Sequence, residues 1–399
     1  MKYIIVLGDG MADEPLEQLG GKTPLAYAKT PWMDEISKKS EIGLAKTIPD
    51  GMKPGSDTAN LAVLGYDPKQ YYTGRSPLEA LSIGVDMEEK DIAIRCNLVT
   101  VSDDSLPYEE KTIVDHSSSE ISTEDAAVLL DAVREVLEDD VYQFYLGTSY
   151  RHCTIWKEGD VVELTPPHDI LGKVIGEYLP DDEILREKMK RSYDILNHHP
   201  LNEERAKKGL NKANSIWFWG AGTRPALDSF AGKFGKKGAM ISAVDLLKGI
   251  AVGAAMTNIE VEGADGTLET NYEGKASAAV KAVTEDGSDF VYIHVEAPDE
   301  MGHQGSIERK VKAIEYLDGR VIGPVYEQMK KSGEDFRLLV MPDHPTPIRT
   351  RTHSSDPVPY MRYDSAAEQD HEWDYNEKEA KESGHYLDEG YTLIREFLK

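Results

Sequence analysis

The strongest constraint on this chain is a set of short, mostly apolar runs that end abruptly at glycine, aspartate or histidine. Residues 3–7, 215–219, 290–295 and 336–341 are the clearest. A strand with one wet face alternates apolar and polar residues, whereas a continuous apolar run suits a strand covered on both faces, the usual condition of a parallel sheet. Helical patterns at residues 276–283 and 307–329 fall between these runs, with turn residues at the joins. Alternating β and α elements predict a doubly wound α/β sheet. At roughly 150 residues per domain, the 399 residues allow two or three structural units.

The middle of the chain has a different texture. Strand-like runs at residues 92–101 and 141–146 bracket a helix capped by Ser122 or Thr123, with Leu129, Val133, Val136 and Leu137 at helical spacing. This reads as a small α+β domain covering residues 89–171, inserted into a main domain made of residues 1–88 and 172–399. The charged stretch 181–191 is then a solvated helix after the return to the main domain, and a last helix runs through Leu393, Ile394, Phe397 and Leu398.

Charge narrows the function. Forty-five Lys and Arg against 72 Asp and Glu give −27, a poor match for a polyphosphate backbone, so no nucleic acid is expected. No stretch approaches the roughly 18 apolar residues of a membrane span, and the run at residues 3–7 stops at Gly8-Asp9-Gly10 rather than continuing as a signal peptide. A cytoplasmic protein without a membrane partner is expected. Cys96 and Cys153 form no metal or redox motif and read as inert buried thiols.

Ligands of an open parallel sheet sit beyond the carboxyl ends of its strands, which directs attention to the residues after each run. There the chain presents Asp9, then Asp299 and His303, then Asp343-His344, and a further loop adds His353. Singly, each such Asp reads first as a turn or cap residue. Collectively they read as a paired metal centre, with Asp299, His303 and His353 at one site and Asp9, Asp343 and His344 at the other. Pro54-Gly55-Ser56-Asp57 opens a short helix that Gly65 closes. Ser56 is either that helix's N-cap or a nucleophile, since a serine bound to a divalent cation ionises more easily.

The ordered set Asp9, Gly55-Ser56, Pro298-Asp299-x-x-Gly302-His303-x-Gly305, Pro342-Asp343-His344 and Thr352-His353 followed by Asp356-Pro357-Val358-Pro359 resembles the alkaline-phosphatase-like superfamily. Within it, the chain resembles the archaeal-type branch of the cofactor-independent phosphoglycerate mutases over essentially its whole length. The resemblance implies two divalent ions, manganese first, with zinc, cobalt and magnesium as alternatives. Asp299, His303 and His353 would hold one ion, and Asp9, Ser56, Asp343 and His344 the other. Ser56 would accept the phosphoryl group of 3-phosphoglycerate and return it to give 2-phosphoglycerate, without a bisphosphoglycerate cofactor.

An anionic substrate in so acidic a chain needs local cations. Arg95, Asn97, Arg151, His152, His168, Arg224 and Lys248 resemble family positions that face it. His294 and Glu296 would support the metal ligands or simply pack. One segment departs from the family: Asp115-His116-Ser117-Ser118-Ser119-Glu120 replaces an arginine-rich Asp-Arg-x-Ala-Gly-Arg pattern. In this it resembles a bacterial subgroup proposed to act as homoserine kinases, where Asp115 or Glu120 would meet the substrate ammonium. That phosphotransferase is the alternative reading, and a phosphomonoester hydrolase is the third. Oligomeric state is left open.

Overall fold

A computed structural model describes residues 1–399. Two compact units divide the chain, one made of Met1–Tyr72 and Ala226–Lys399, the other of Thr73–Pro225. The inserted unit is therefore wider at both ends than residues 89–171. Its sheet recruits Ser215–Thr223, and its core takes up Leu185, Met189 and Leu196 from the helix Glu183–Leu196. That helix, expected as a solvated element of the main domain, buries one face in the insert instead.

The first unit is built on an eight-stranded sheet. Lys2–Gly8 lies at its centre, parallel to Phe290–Val295 on one side and to Phe336–Met341 on the other. Gly238–Ile241 extends the parallel part, while Val358–Asp364 pairs antiparallel with Phe336–Met341 and with Ser40–Ala45. Because Leu7 is level with both His294 and Met341, the three central strands end side by side. Alternate residues pack into opposite layers. Ile4, Val6, Ile293 and Val340 join a core with the helices Tyr272–Thr284, Ile307–Leu317 and Gly323–Ser332. On the other face Tyr3 meets Phe397 edge-on, and Tyr292 donates to Asn60 of the helix Ser56–Val63. The doubly wound α/β architecture holds.

The second unit carries a five-stranded antiparallel sheet around Ile92–Val101, which pairs with Arg151–Trp156 and Ser215–Thr223. Ser215–Thr223 is thus a correction: it is an antiparallel strand here, with no place in the parallel sheet. One face buries Cys96, Leu98 and Ile216 against the helix Thr123–Leu137, whose N-cap is Ser122. Leu129, Val133 and Leu137 point inward as expected, but Val136 is exposed and Leu130 takes the inward position. The other face is covered at one end by the helix Arg75–Ser82, over Ala93, Cys153 and Ile155. No helix in the chain is long and apolar enough to cross a membrane.

Candidate functional site

The level strand ends deliver the expected cluster. Asp9, Asp343 and His344 lie together at 2%, 0% and 0% exposure, with ligand atoms mutually within 4.8 Å. Asp299, His344 and His353 form a second trio by the same measure, so His344 stands within reach of both groups. Asp299 and His303 share the helix Ala297–His303 four residues apart, and His303 Nε2 lies 3.2 Å from Asp299 Oδ2 and 3.0 Å from His353 Nε2.

The side chains of Asp343, Asp9 and His303 are anchored by their neighbours. Asp343 Oδ1 accepts the backbone N–H of Gly10 at 3.1 Å and of His344 at 2.8 Å, and its Oδ2 accepts Asn60 Nδ2 at 2.8 Å. Asp9 Oδ2 is 2.8 Å from His294 Nε2, whose other ring nitrogen is 3.2 Å from Ser242 Oγ. Lys275 Nζ donates to the His294 carbonyl at 2.8 Å. His294 therefore braces Asp9 from its own strand. His303 Nδ1 donates to the carbonyl of Arg351 at 2.9 Å, and Arg351 holds a left-handed φ of 55° just before His353. Strain of this kind persists only where surrounding contacts impose it.

The electrostatics call for cations. Burial, reinforced by Asp343, Asp299 and Glu296, pushes the Asp9 carboxyl well above the carboxylate range, and Asp9 Oδ1 is buried with no hydrogen-bond partner. Burial also works against Asp299, but hydrogen bonds from His303 and His353 overcome it and hold its pKa well below the usual range. Burial pulls His344 down, leaving its imidazole neutral and able to bind a metal. Uncompensated buried charges of one sign cost several kcal/mol each. A buried carboxylate–imidazole set with an orphaned oxygen fits divalent ions.

Ser56 differs from the reading as a helix cap. Gly55 occupies the cap position and Ser56 opens the helix, where its side chain caps nothing. Its Oγ instead lies 3.1 Å from His344 Nε2. The backbone carbonyl of Ser56 accepts Asn60 Nδ2, which ties the serine to the partner of Asp343.

Several of the expected substrate residues gather on the second unit's sheet beside the helix Arg75–Ser82, whose Glu79 pairs with Arg95 at 2.8 Å. The Arg95 guanidinium lies 4.1 Å over the Trp219 ring, and Trp219 Nε1 donates to Asn97 Oδ1 at 3.0 Å. His168 meets Trp219 edge-on at 5.2 Å and His116 at 6.2 Å. His116 reaches Tyr150 at 5.8 Å, and Arg151 covers Tyr150 at 5.0 Å. Burial lowers the Arg95 pKa to about 10 despite its ion pair with Glu79, so it stays charged near neutrality.

His152 does not belong to this group. It sits opposite Cys96, whose side chain packs into the core on the other face. It is 4% exposed, burial lowers its pKa to about 3, and its Nδ1 accepts the Gly147 N–H. Arg224 is exposed, five positions beyond Trp219, and Lys248, in the first unit, pairs with Glu260 at 3.0 Å. His116, Tyr150 and Trp219 escaped the sequence reading, because aromatic side chains in polar loops or at strand ends carry no spacing signal.

The departing segment is a left-handed turn, with Ser118, Ser119 and Glu120 at φ 52°, 58° and 48°. Asp115 holds it by accepting the backbone N–H of Ser117 and Ser119, and it also accepts Asn211 Nδ2 at 2.8 Å. Asp115 is thus engaged within the turn, which corrects its reading as an ammonium partner.

Comparisons with known proteins fit this geometry. The family described as "2,3-bisphosphoglycerate-independent phosphoglycerate mutase" matches residues 37–202. A 2,3-bisphosphoglycerate-independent phosphoglycerate mutase of Methanosarcina barkeri is 51% identical over 91% of this chain and 90% of its own length. Among solved structures, the PH0037 protein of Pyrococcus horikoshii superposes with a TM-score of 0.82 at 30% identity, covering 100% of this chain and 97% of that one. A cofactor-independent phosphoglycerate mutase of Thermoplasma acidophilum gives 0.67 at 26% identity, covering 100% and 99%. These relatives do not favour the homoserine kinase or hydrolase readings.

Proposed function

The chain belongs to the family of 2,3-bisphosphoglycerate-independent phosphoglycerate mutases, and from that premise we propose that it interconverts 3- and 2-phosphoglycerate through a phosphoserine at Ser56. The observation that carries this reading is Ser56 Oγ at 3.1 Å from His344 Nε2, on the rim of the buried carboxylate–imidazole cluster. In this proposal Asp299, His303 and His353 hold one divalent ion, and Asp9, Ser56, Asp343 and His344 the other. His344 lies within reach of both sets. Two ions bound there supply positive charge for the attacking and leaving oxygens of an in-line displacement. Oxygen and imidazole donors suit manganese, cobalt and zinc, and manganese is the natural first probe.

The protein's own groups do the rest. Ser56 gives up its hydroxyl proton as its Oγ forms a bond to phosphorus and the bond to one glycerate oxygen breaks, and it recovers a proton when it is released. The departing oxygen takes up a proton, and the other glycerate hydroxyl, giving up its own, then attacks the phosphoserine and releases Ser56. His294 keeps Asp9 oriented, and Asn60 fixes Ser56 and Asp343 together. In the second unit, Arg95, Arg151 and His168 are proposed to bind an anionic group of the substrate, with Asn97 and Trp219 orienting Arg95; His116 joins them by its position.

Phosphorus NMR of the manganese-loaded protein with 3-phosphoglycerate alone tests the reading. The expected result is 2-phosphoglycerate without added bisphosphoglycerate, and none from the Ser56→Ala protein. Unchanged substrate with a protein that holds metal would overturn it.

A further inference from the structure

Thr346 lies two residues beyond His344, is 0% exposed, and carries none of the roles assigned above. Its Oγ1 donates to Asp299 Oδ1 and lies 3.3 Å from His344 Nδ1. One hydroxyl thereby touches a ligand of each trio. The backbone is fixed as firmly as the side chain. Lys310 Nζ, itself fully buried, donates to the Thr346 carbonyl at 2.8 Å and to Asp13 Oδ2 at 2.8 Å, and the Thr346 N–H donates to the Ala12 carbonyl at 3.3 Å. Two glycines make room. A Cβ on Gly10 would come within 2.6 Å of Thr346 Oγ1, and one on Gly302 within 2.7 Å of its carbonyl oxygen.

We infer that Thr346 is a positioning residue that couples the two metal-ligand sets through its hydroxyl. A hydroxyl has one proton to give and lone pairs to receive. It gives the proton to Asp299 and accepts from His344 Nδ1–H. His344 Nδ1 also lies 3.3 Å from the Pro345 carbonyl, which can only accept, so that carbonyl and the Thr346 hydroxyl together select the His344 tautomer whose Nε2 lone pair is free, and Nε2 is the nitrogen that faces Ser56 and Asp9. Hydrogen bonding behind a ligating imidazole commonly sets its tautomer and ring orientation in this way. Asp299, with one oxygen engaged by Thr346, presents the other toward His303. Order at one ligand set is thereby transmitted to the other through a single side chain.

The inference rests on the two-ion reading, and the test separates their failures. The full-length protein, stripped of metal, is titrated with cobalt(II) by calorimetry and visible spectroscopy, as wild type, Thr346→Val and Thr346→Ser. Valine keeps the shape and removes the hydroxyl, while serine keeps the hydroxyl. Wild type binds two ions, Thr346→Val weakens at least one by roughly 10- to 100-fold with a changed cobalt band, and Thr346→Ser restores both. A Thr346→Val protein that matches wild type in affinity and spectrum overturns the inference, because packing alone would survive the isosteric change. A wild type that binds fewer than two ions overturns the two-ion reading, and the inference with it. Should Thr346→Val fail to fold, Thr346→Ala against Thr346→Ser isolates the hydroxyl in the same titration: affinity lost in the alanine protein and kept in the serine protein supports the coupling, and equal affinities overturn it.

Discussion

The two units handle charge in opposite ways. In the first, Asp9, Asp343 and His344 are all but sealed from water, and Asp343 alone takes up two backbone amides and an asparagine. In the second, Arg151 and His168 are solvent-exposed and rest against aromatic rings. The difference follows from the work each set is suited to. Groups suited to binding ions around a reacting phosphorus have to be held to within about 0.5 Å, and the burial and hydrogen bonding seen at Asp9, Asp343 and His344 meet that demand. Cations that recognise an anion from a ring face, each such contact worth about 0.5–2 kcal/mol, tolerate more adjustment. Arg95, buried and paired with Glu79, lies between these extremes.

If this contrast holds, changes in the first unit abolish chemistry and changes in the second alter recognition. Ser56→Ala is expected to show the largest effect, a loss of roughly 10⁴-fold or more in kcat with an unchanged thermal unfolding midpoint. Comparable turnover would end the phosphoserine account. Asp343→Asn comes next. It removes a buried charge that three donors address, and equilibrium dialysis is expected to show metal affinity lower by about 100-fold. His303→Ala is milder, about tenfold, since the His303 side chain is already 34% exposed. Arg151→Ala is the smallest: KM rises by about tenfold, one exposed charge contact, while kcat and metal content stay within about twofold. A collapse of kcat in Arg151→Ala would erase the distinction between the units.

A pH series sharpens the same contrast. Asp299 raises the His303 pKa to about 9 in the metal-free protein. Its unfolded value is near 6.5, so the protonated pair contributes stability that is fully present below about 6.5 and is lost as pH rises through about 9. A cation bound at His303 has to displace that proton. Apparent affinity is therefore expected to rise by up to about tenfold per pH unit and to level off above pH 9. Calorimetry at pH 7, 8 and 9 checks this, and a flat profile would remove His303 from the ligands.

How much of this was legible in the sequence depends on the unit. Asp9, Asp299, His303, Asp343, His344 and His353 stood out because a parallel sheet lines up its strand ends, so residues far apart in sequence share one edge. Ser56 could be read as cap or nucleophile, and the structure removes the first reading by placing Gly55 at the cap. The second unit was harder. Residues 215–219 read as a strand buried on both faces, which an antiparallel strand under helices at one end also satisfies. The helix Glu183–Leu196 looked solvated because charges outnumber its inward Leu185, Met189 and Leu196. His152 illustrates the limit most sharply: next to Arg151 in sequence, it faces the other way, since successive strand residues alternate sides.

The most direct test of the central claim is to mix manganese-loaded protein with 3-phosphoglycerate, quench in acid within milliseconds, and map phosphorylation by mass spectrometry. The account predicts a phosphate on Ser56 that forms and decays during turnover and is missing from Ser56→Ala. Efficient turnover with no phosphate on Ser56, or with phosphate on another residue, would contradict it.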